Sequence, residues 1–201
     1  MQINSKSVYP DDVTKTIQQF LLQTEPKNRR PSLLVMYAMY VIFMKASKRY
    51  SGKSLAPLRF HTSRDSRSRS FGDIDVINPD STPFESVEIK HNKPITPDMV
   101  DIVYRRIKNT QIDRYYILTT SDPNFDNYES VMQEIEKYRK VHPCEIIADG
   151  VIPSLKYYLR LISNPQDIIG EYTKWLEFEY RRASGIKREH LQVWQEIRQS
   201  L

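Results

Sequence analysis

Cysteine is nearly missing from this 201-residue chain. Cys144 alone excludes an intramolecular disulfide framework and any cysteine-rich zinc site, and it suits a reducing compartment. Because it sits in an apolar stretch, an inert thiol is predicted. Long apolar runs are missing as well. The longest, Leu33 to Met44, covers 12 residues, whereas a bilayer needs roughly 20. It reads as a buried helix, and no membrane partner is expected. The opening Met-Gln-Ile-Asn-Ser-Lys has no basic region followed by an apolar stretch, so no secretory signal is expected. Glycine and proline number only 5 and 12, which with 39% hydrophobic residues describes a folded chain rather than a disordered one. Repeats, low-complexity tracts and long linkers are absent too. One domain is therefore predicted over 1–201, with N-terminal helices to residue 50, a core over 51–150 and C-terminal helices over 151–201.

What the chain does have is positive charge, unevenly placed. The formal net charge is +5, a weak pointer to a polyanionic partner. Between Lys45 and Arg69 stand Lys45, Lys48, Arg49, Lys53, Arg59, Arg64, Arg67 and Arg69 against a single acid, Asp65. This stretch is rich in serine and turn residues and reads as a loop over 51–70. By itself it could be an ordinary solvated surface loop.

The character changes at Phe71. Asp73 to Ile77 alternates like a strand, Asn78-Pro79-Asp80-Ser81-Thr82-Pro83 supplies turn chemistry, and Phe84 to Lys90 alternates again. Val87 and Ile89 then face one side, Glu88 and Lys90 the other. Thr96-Pro97-Asp98 has cap, first-position proline and early acid in helix-starting order, followed by the apolar stripe Met99, Val100, Val103 and Ile107. Tyr115 to Leu118 reads as a buried strand, about Asn127 to Lys140 as a helix, and Cys144 to Ala148 as a short strand. Ahead of the hairpin, Asp11 or Asp12 is predicted to cap a helix ending near Pro26, and a second helix follows Pro31-Ser32. Beyond Val151, two or three helices break near Asn164-Pro165 and Ser184-Gly185. Trp175 and Trp194 follow helical spacing and are read as packing. The predicted class is α/β, in the α+β sense of a mixed sheet flanked by helices.

Carboxylates on a rigid hairpin can hold a hard cation, and a lysine beside bound metal in a partly dry site can have its pKa lowered enough to orient or deprotonate water. If Asp75 pairs near Glu88 across the two strands, both emerge on one face. Acid-any-lysine occurs twice, at Glu25-Pro26-Lys27 and at Glu88-Ile89-Lys90. Only the second lies inside an apolar alternation, 13 residues after an aspartate. Asp73 competes with Asp75 for the metal. Asp75 is favoured because the apolar pair Val76-Ile77 follows it and because it sits better opposite Glu88; Asp73 is kept for a second cation or for orienting Lys90. The plain rival is a solvated sheet face on which Glu88 and Lys90 pair with neighbours.

The string Gly72-Asp73-Ile74-Asp75-Val76-Ile77, a turn, then Val87-Glu88-Ile89-Lys90 resembles the PD-(D/E)XK signature of restriction endonucleases and related nucleases, without the proline that often precedes the aspartate. The element order over about 70–150 is similar to the core of that fold. The resemblance implies Asp75, Glu88 and Lys90 as catalytic residues, and Asp75, Glu88 and the Ile89 backbone carbonyl as ligands to Mg²⁺, for which Mn²⁺ would substitute. Many such nucleases also use an acid on an upstream helix; no residue here is assigned to it. His61-Thr62-Ser63-Arg64-Asp65, Glu88-Ile89-Lys90-His91 and Arg114 to Thr120 look similar to bacterial type II restriction enzymes found beside cytosine methyltransferases. This implies sequence-specific cleavage of double-stranded DNA leaving 5′-phosphate and 3′-hydroxyl ends. It also implies a homodimer on a palindromic site, a cognate methyltransferase as functional companion and a bacterial cytoplasmic location. Arg59, Arg64, Arg67 and Arg69 are then candidate DNA contacts. His61 and His91 join them as positioning residues rather than metal ligands, since hard cations prefer oxygen.

Overall fold

The computed structural model describes residues 8–24, 28–58 and 70–199. Their contacts group into two units, one formed by residues up to Ala46 together with those from Leu155 onward, the other by Ser47–Ser154. The second coincides closely with the core expected over 51–150 and carries the sheet.

The first unit is helical, containing α1 (Pro10–Thr24), α2 (Arg30–Ala46), α6 (Asp167–Arg181), α7 (Arg188–Arg198) and the end of α5 (Val151–Leu159). Helix α1 starts at Pro10, ahead of the predicted caps, because a proline at the first position loses no hydrogen bond. Asp12 still satisfies the end, accepting from the Tyr9 amide at 3.1 Å. Leu33 to Tyr40 of α2 are all buried, as the unbroken apolar run predicts. Trp194, Phe20 and Tyr172 meet edge to face with centroids 5.0–5.9 Å apart, and the Trp194 indole donates to Thr173 Oγ1 at 2.7 Å. Trp175 likewise sets its ring against Tyr37, so both tryptophans pack as predicted. Deep in this unit Arg30 donates to Glu179 at 2.6 Å, with side chains 3% and 0% exposed.

The second unit holds a five-stranded mixed sheet in the order β1 (Ser54–Leu55), β2 (Ile74–Ile77), β3 (Pro83–Lys90), β4 (Arg114–Thr119), β5 (Glu145–Gly150). Strands β1, β2 and β3 run antiparallel, then β3, β4 and β5 run parallel. Parallel neighbours need crossovers, and α3 (Pro97–Ile107) and α4 (Tyr128–Arg139) supply them. Val100, Val103 and Ile107 of α3 and Val131 and Tyr138 of α4 bury themselves on Tyr115, Ile117 and Ile146. Each such side chain contributes about 1.5–3 kcal/mol by leaving water. Asn127 caps α4, accepting from the Ser130 amide at 2.9 Å. The α/β class, the hairpin, both crossovers and the three C-terminal helices agree with the sequence reading. Strand β1 falls inside the predicted loop. Two residues are too few to show alternation, and β1 exists only by pairing with β2.

Candidate active site

The parallel ladder sets Ser86 beside Tyr115, Glu88 beside Ile117 and Lys90 beside Thr119. Side chains at alternate positions share a face, so Ser86, Glu88 and Lys90 project on the side covered by α3 and α4. On the other edge of β3 the antiparallel register pairs Ile74 with Val87 and Asp75 with Ser86. Just ahead of β2, the Asp73 amide donates to the Val87 carbonyl at 2.7 Å. The premise that Asp75 stands opposite Glu88 is therefore corrected: Asp75 stands opposite Ser86, two residues from Glu88 along β3. The close approach needs Gly72, where an added Cβ would stand 2.5 Å from the Val87 carbonyl oxygen.

The two aspartates are held differently. Asp75 is 7% exposed. Its Oδ1 accepts from the Gly72 amide at 3.0 Å and the Ser86 hydroxyl at 2.7 Å. Its Oδ2 accepts from the Ser70 hydroxyl at 2.8 Å and the Phe71 amide at 3.3 Å. Four donors thus bind this carboxylate to the turn preceding β2 and to β3. Asp73, half-buried, accepts only the Ile89 amide, at 2.9 Å on Oδ2. Among the described residues its Oδ1 has no hydrogen-bond partner. In extended backbone the N–H and C=O of one residue leave the strand on the same side, so the Ile89 carbonyl is directed to the Asp73 side.

Glu88 is surrounded by donors. Lys90 Nζ binds Oε1, while Arg106 Nη1, from α3, lies 2.6 Å from Oε2. The Tyr115 hydroxyl is 2.9 Å from the same oxygen and 2.6 Å from the Phe71 carbonyl. Burial alone would push the Glu88 carboxyl up. The hydrogen bond and charge of Lys90, the charge of Arg106 and the Tyr115 hydroxyl outweigh it and hold the group below the usual glutamate range. Burial opposes the Arg106 charge as well, yet Tyr115 and Glu88 raise its pKa further. The Tyr115 phenol, fully buried beside Glu88, is pushed upward and stays protonated.

Ser70, Ser86, Arg106 and Tyr115 are absent from the sequence-based list. Only Ser86 left a signal, since it shares the alternation of Glu88 and Lys90. Helical period says nothing of which strand residue Arg106 meets, and Tyr115 reads as one more buried strand residue. His91 follows Lys90 in the loop after β3, its ring 3.3 Å from the Asn92 amide nitrogen and 3.5 Å from the Thr120 hydroxyl. Arg59, His61, Arg64, Arg67 and Arg69 lie outside the described residues, as does Glu25-Pro26-Lys27. Cys144 is buried and its thiol is pushed up to about 12 by that burial, in keeping with an inert group.

Among the described residues, no three His, Cys, Asp or Glu side chains are gathered as a metal site. The donor chemistry nevertheless suits a hard cation. Asp73 keeps one oxygen open while the other accepts from the Ile89 amide, the Glu88 carboxyl is held below its usual range, and the Ile89 carbonyl leaves β3 on the Asp73 side. Compared with known proteins, the chain matches no family model and no curated sequence.

Proposed function

We propose that this protein is a metal-dependent endodeoxyribonuclease of the type II restriction class, hydrolysing both strands of duplex DNA at a specific sequence to leave 5′-phosphate and 3′-hydroxyl ends. The observation that carries the reading is the Glu88–Lys90 ion pair on β3, with Asp73 and Asp75, from just before and within β2, hydrogen-bonded to the same strand. Glu88 and Lys90 are ion-paired on one face of β3, Asp73 accepts from the Ile89 amide, and Asp75 accepts from the Ser86 hydroxyl.

Asp73 and Glu88, with the Ile89 carbonyl, are the residues that would hold Mg²⁺ or, in its place, Mn²⁺. When bound, the ion supplies positive charge at the scissile phosphate and acidifies a water. The chain's own residues do the rest. The Lys90 ammonium carries three donors, one spent on Glu88, and directs the others to orient the attacking water. Asp75 positions rather than reacts: by gripping the Ser70, Phe71 and Gly72 turn together with Ser86, it sets the approach of Asp73 to β3. His91, in the loop after β3, and the arginines of the 59–69 sequence contact the duplex. A homodimer would match a palindromic target, and a methyltransferase in the same bacterial cytoplasm would protect the host's own copies.

A second reading has an observation of its own. Both Glu88 oxygens are already taken by protein donors, as in a DNA-binding module whose charges serve only the fold. Digestion of unmethylated plasmid and phage DNA with Mg²⁺, beside folded Lys90→Ala and Glu88→Ala proteins, separates the two. Discrete fragments from the wild type alone support the restriction nuclease. A smear, or cutting confined to branched DNA, points to a structure-specific nuclease of the same chemistry, and DNA binding without cleavage to the module.

A further inference from the structure

Glu88 has two cations for one carboxylate, and they are held in unequal ways. Lys90 sits two residues along the same strand, so β3 itself fixes that pair. Arg106 comes from the last turn of α3, and its side chain is 35% exposed. A single nitrogen of its guanidinium, Nη1, lies 2.6 Å from three oxygens: the Glu88 carboxylate, the Phe71 carbonyl and the Tyr115 hydroxyl. That nitrogen carries two hydrogens, too few for three full bonds. Carboxylate, carbonyl and hydroxyl are also the oxygen types that a hard cation collects around itself. The Phe71 carbonyl belongs to the turn whose amides hold Asp75, so this one nitrogen joins α3 to both acids' surroundings. Together the ammonium and the guanidinium bring two positive charges to Glu88, the charge of one divalent ion.

We propose that Arg106 is a built-in stand-in for the divalent cation: in the metal-free protein its guanidinium occupies the Glu88 carboxylate, and an incoming metal ion must displace it. This rests on the metal-dependent reading of the site. Displacement is feasible because the guanidinium already reaches the surface, so a freed Arg106 moves into water rather than into a buried, unpaired state. The strand-fixed Lys90 stays behind beside Glu88. Metal and Arg106 then compete for one ligand, and the free protein binds the ion more weakly than its acids alone would allow. With Arg106 gone, the single Tyr115 hydrogen is donated to Glu88 Oε2, 2.9 Å away, which holds the carboxylate in place during the exchange.

Titration calorimetry of Mn²⁺ into the metal-free full chain tests this with no reference to cleavage. Arg106→Gln is expected to bind Mn²⁺ more tightly than wild type, on the order of ten-fold, the usual size of a coupling between two ligands of one site. Arg106→Lys retains the charge and should stay near wild type, whereas Glu88→Gln should lose the site. Tightening in Arg106→Gln but not in Arg106→Lys supports the inference. Unchanged or weaker binding by a folded Arg106→Gln, with binding lost in Glu88→Gln, overturns the stand-in while leaving the metal site intact. Binding undiminished in Glu88→Gln overturns the metal site and the inference with it. If Arg106→Gln fails to melt cooperatively, Arg106→Met, which keeps the stem packed on α3 and removes the charge, is read against the same expectation.

Discussion

Replacing Asp75 by Asn separates its supporting role from the role of Asp73. Asn offers one oxygen and one amide nitrogen where Asp75 offers two oxygens to four donors. In either orientation the nitrogen faces one backbone amide, Gly72 or Phe71, and one hydroxyl, Ser86 or Ser70. The hydroxyl can rotate and accept; the backbone N–H cannot. Orphaning one buried N–H costs about 1–3 kcal/mol, and removing the charge from the remaining bonds costs roughly 1 kcal/mol more. A loss of about 3 kcal/mol corresponds to a fall in Tm of roughly 6–12 °C for a chain this size. Asp73→Asn keeps an oxygen for the Ile89 amide and leaves its other atom open, so its cost should stay below about 1 kcal/mol. Denaturant unfolding of both variants, monitored by circular dichroism, measures the difference. Equal losses from the two substitutions, or a loss below about 1 kcal/mol for Asp75→Asn, would refute the assignment of Asp75 as the anchor and Asp73 as the freer ligand.

The helical unit offers a sharper loss. Glu179→Ala takes the carboxylate from the buried Arg30 guanidinium and should destabilise by about 3–5 kcal/mol in chemical denaturation, while a paired apolar replacement of both residues should recover much of it. Gly72→Ala drives a methyl group against the Val87 carbonyl; about 1–3 kcal/mol of stability should go, and cleavage should drop with it because Asp73 is pushed away from β3. Acid titration should expose the Glu88 cluster. Its carboxyl is held below the ordinary value of 4.5, so the stability it contributes is complete above that pH and fades as pH falls through the lowered folded value. Glu88→Gln should flatten this part of the stability curve, and an unchanged acid limb would count against the clamp.

Wherever a local rule acts alone, the sequence was readable. Alternation exposed the β2–β3 hairpin, the Thr96-Pro97-Asp98 order placed the start of α3, and the helix read over about Asn127 to Lys140 matches α4 within a residue or two. The apolar run of α2 announced its burial. Cross-strand register was not readable. It depends on the irregularity between Val76 and Ile77, where the pairing shifts to bring Ile77 opposite Pro83. No residue type at those positions signals the shift, and it sets Asp75 opposite Ser86. Arg106 and Tyr115 were hidden for a related reason: a stripe or an alternation gives the face of an element, not the partner that face will meet. Strand β1 has only its pairing to define it.

Strand β3 carries an acid on each of its two faces. Glu85, wholly buried on the face opposite Glu88, accepts from the Tyr50 hydroxyl at 2.8 Å and from Arg49 at 3.3 Å. Sliding β3 by one residue would turn Val87 and Ile89 toward the Glu88 side and force Glu85 away from the Tyr50 and Arg49 donors. Sliding it by two would keep the faces but set Glu85 two residues' worth of backbone away from Tyr50. The alignment of the Glu88 face is thus proofread from behind. A charge buried on the opposite face makes a misthreaded hairpin unfavourable, so the register that sets Glu88 and Lys90 is fixed by a residue remote from both.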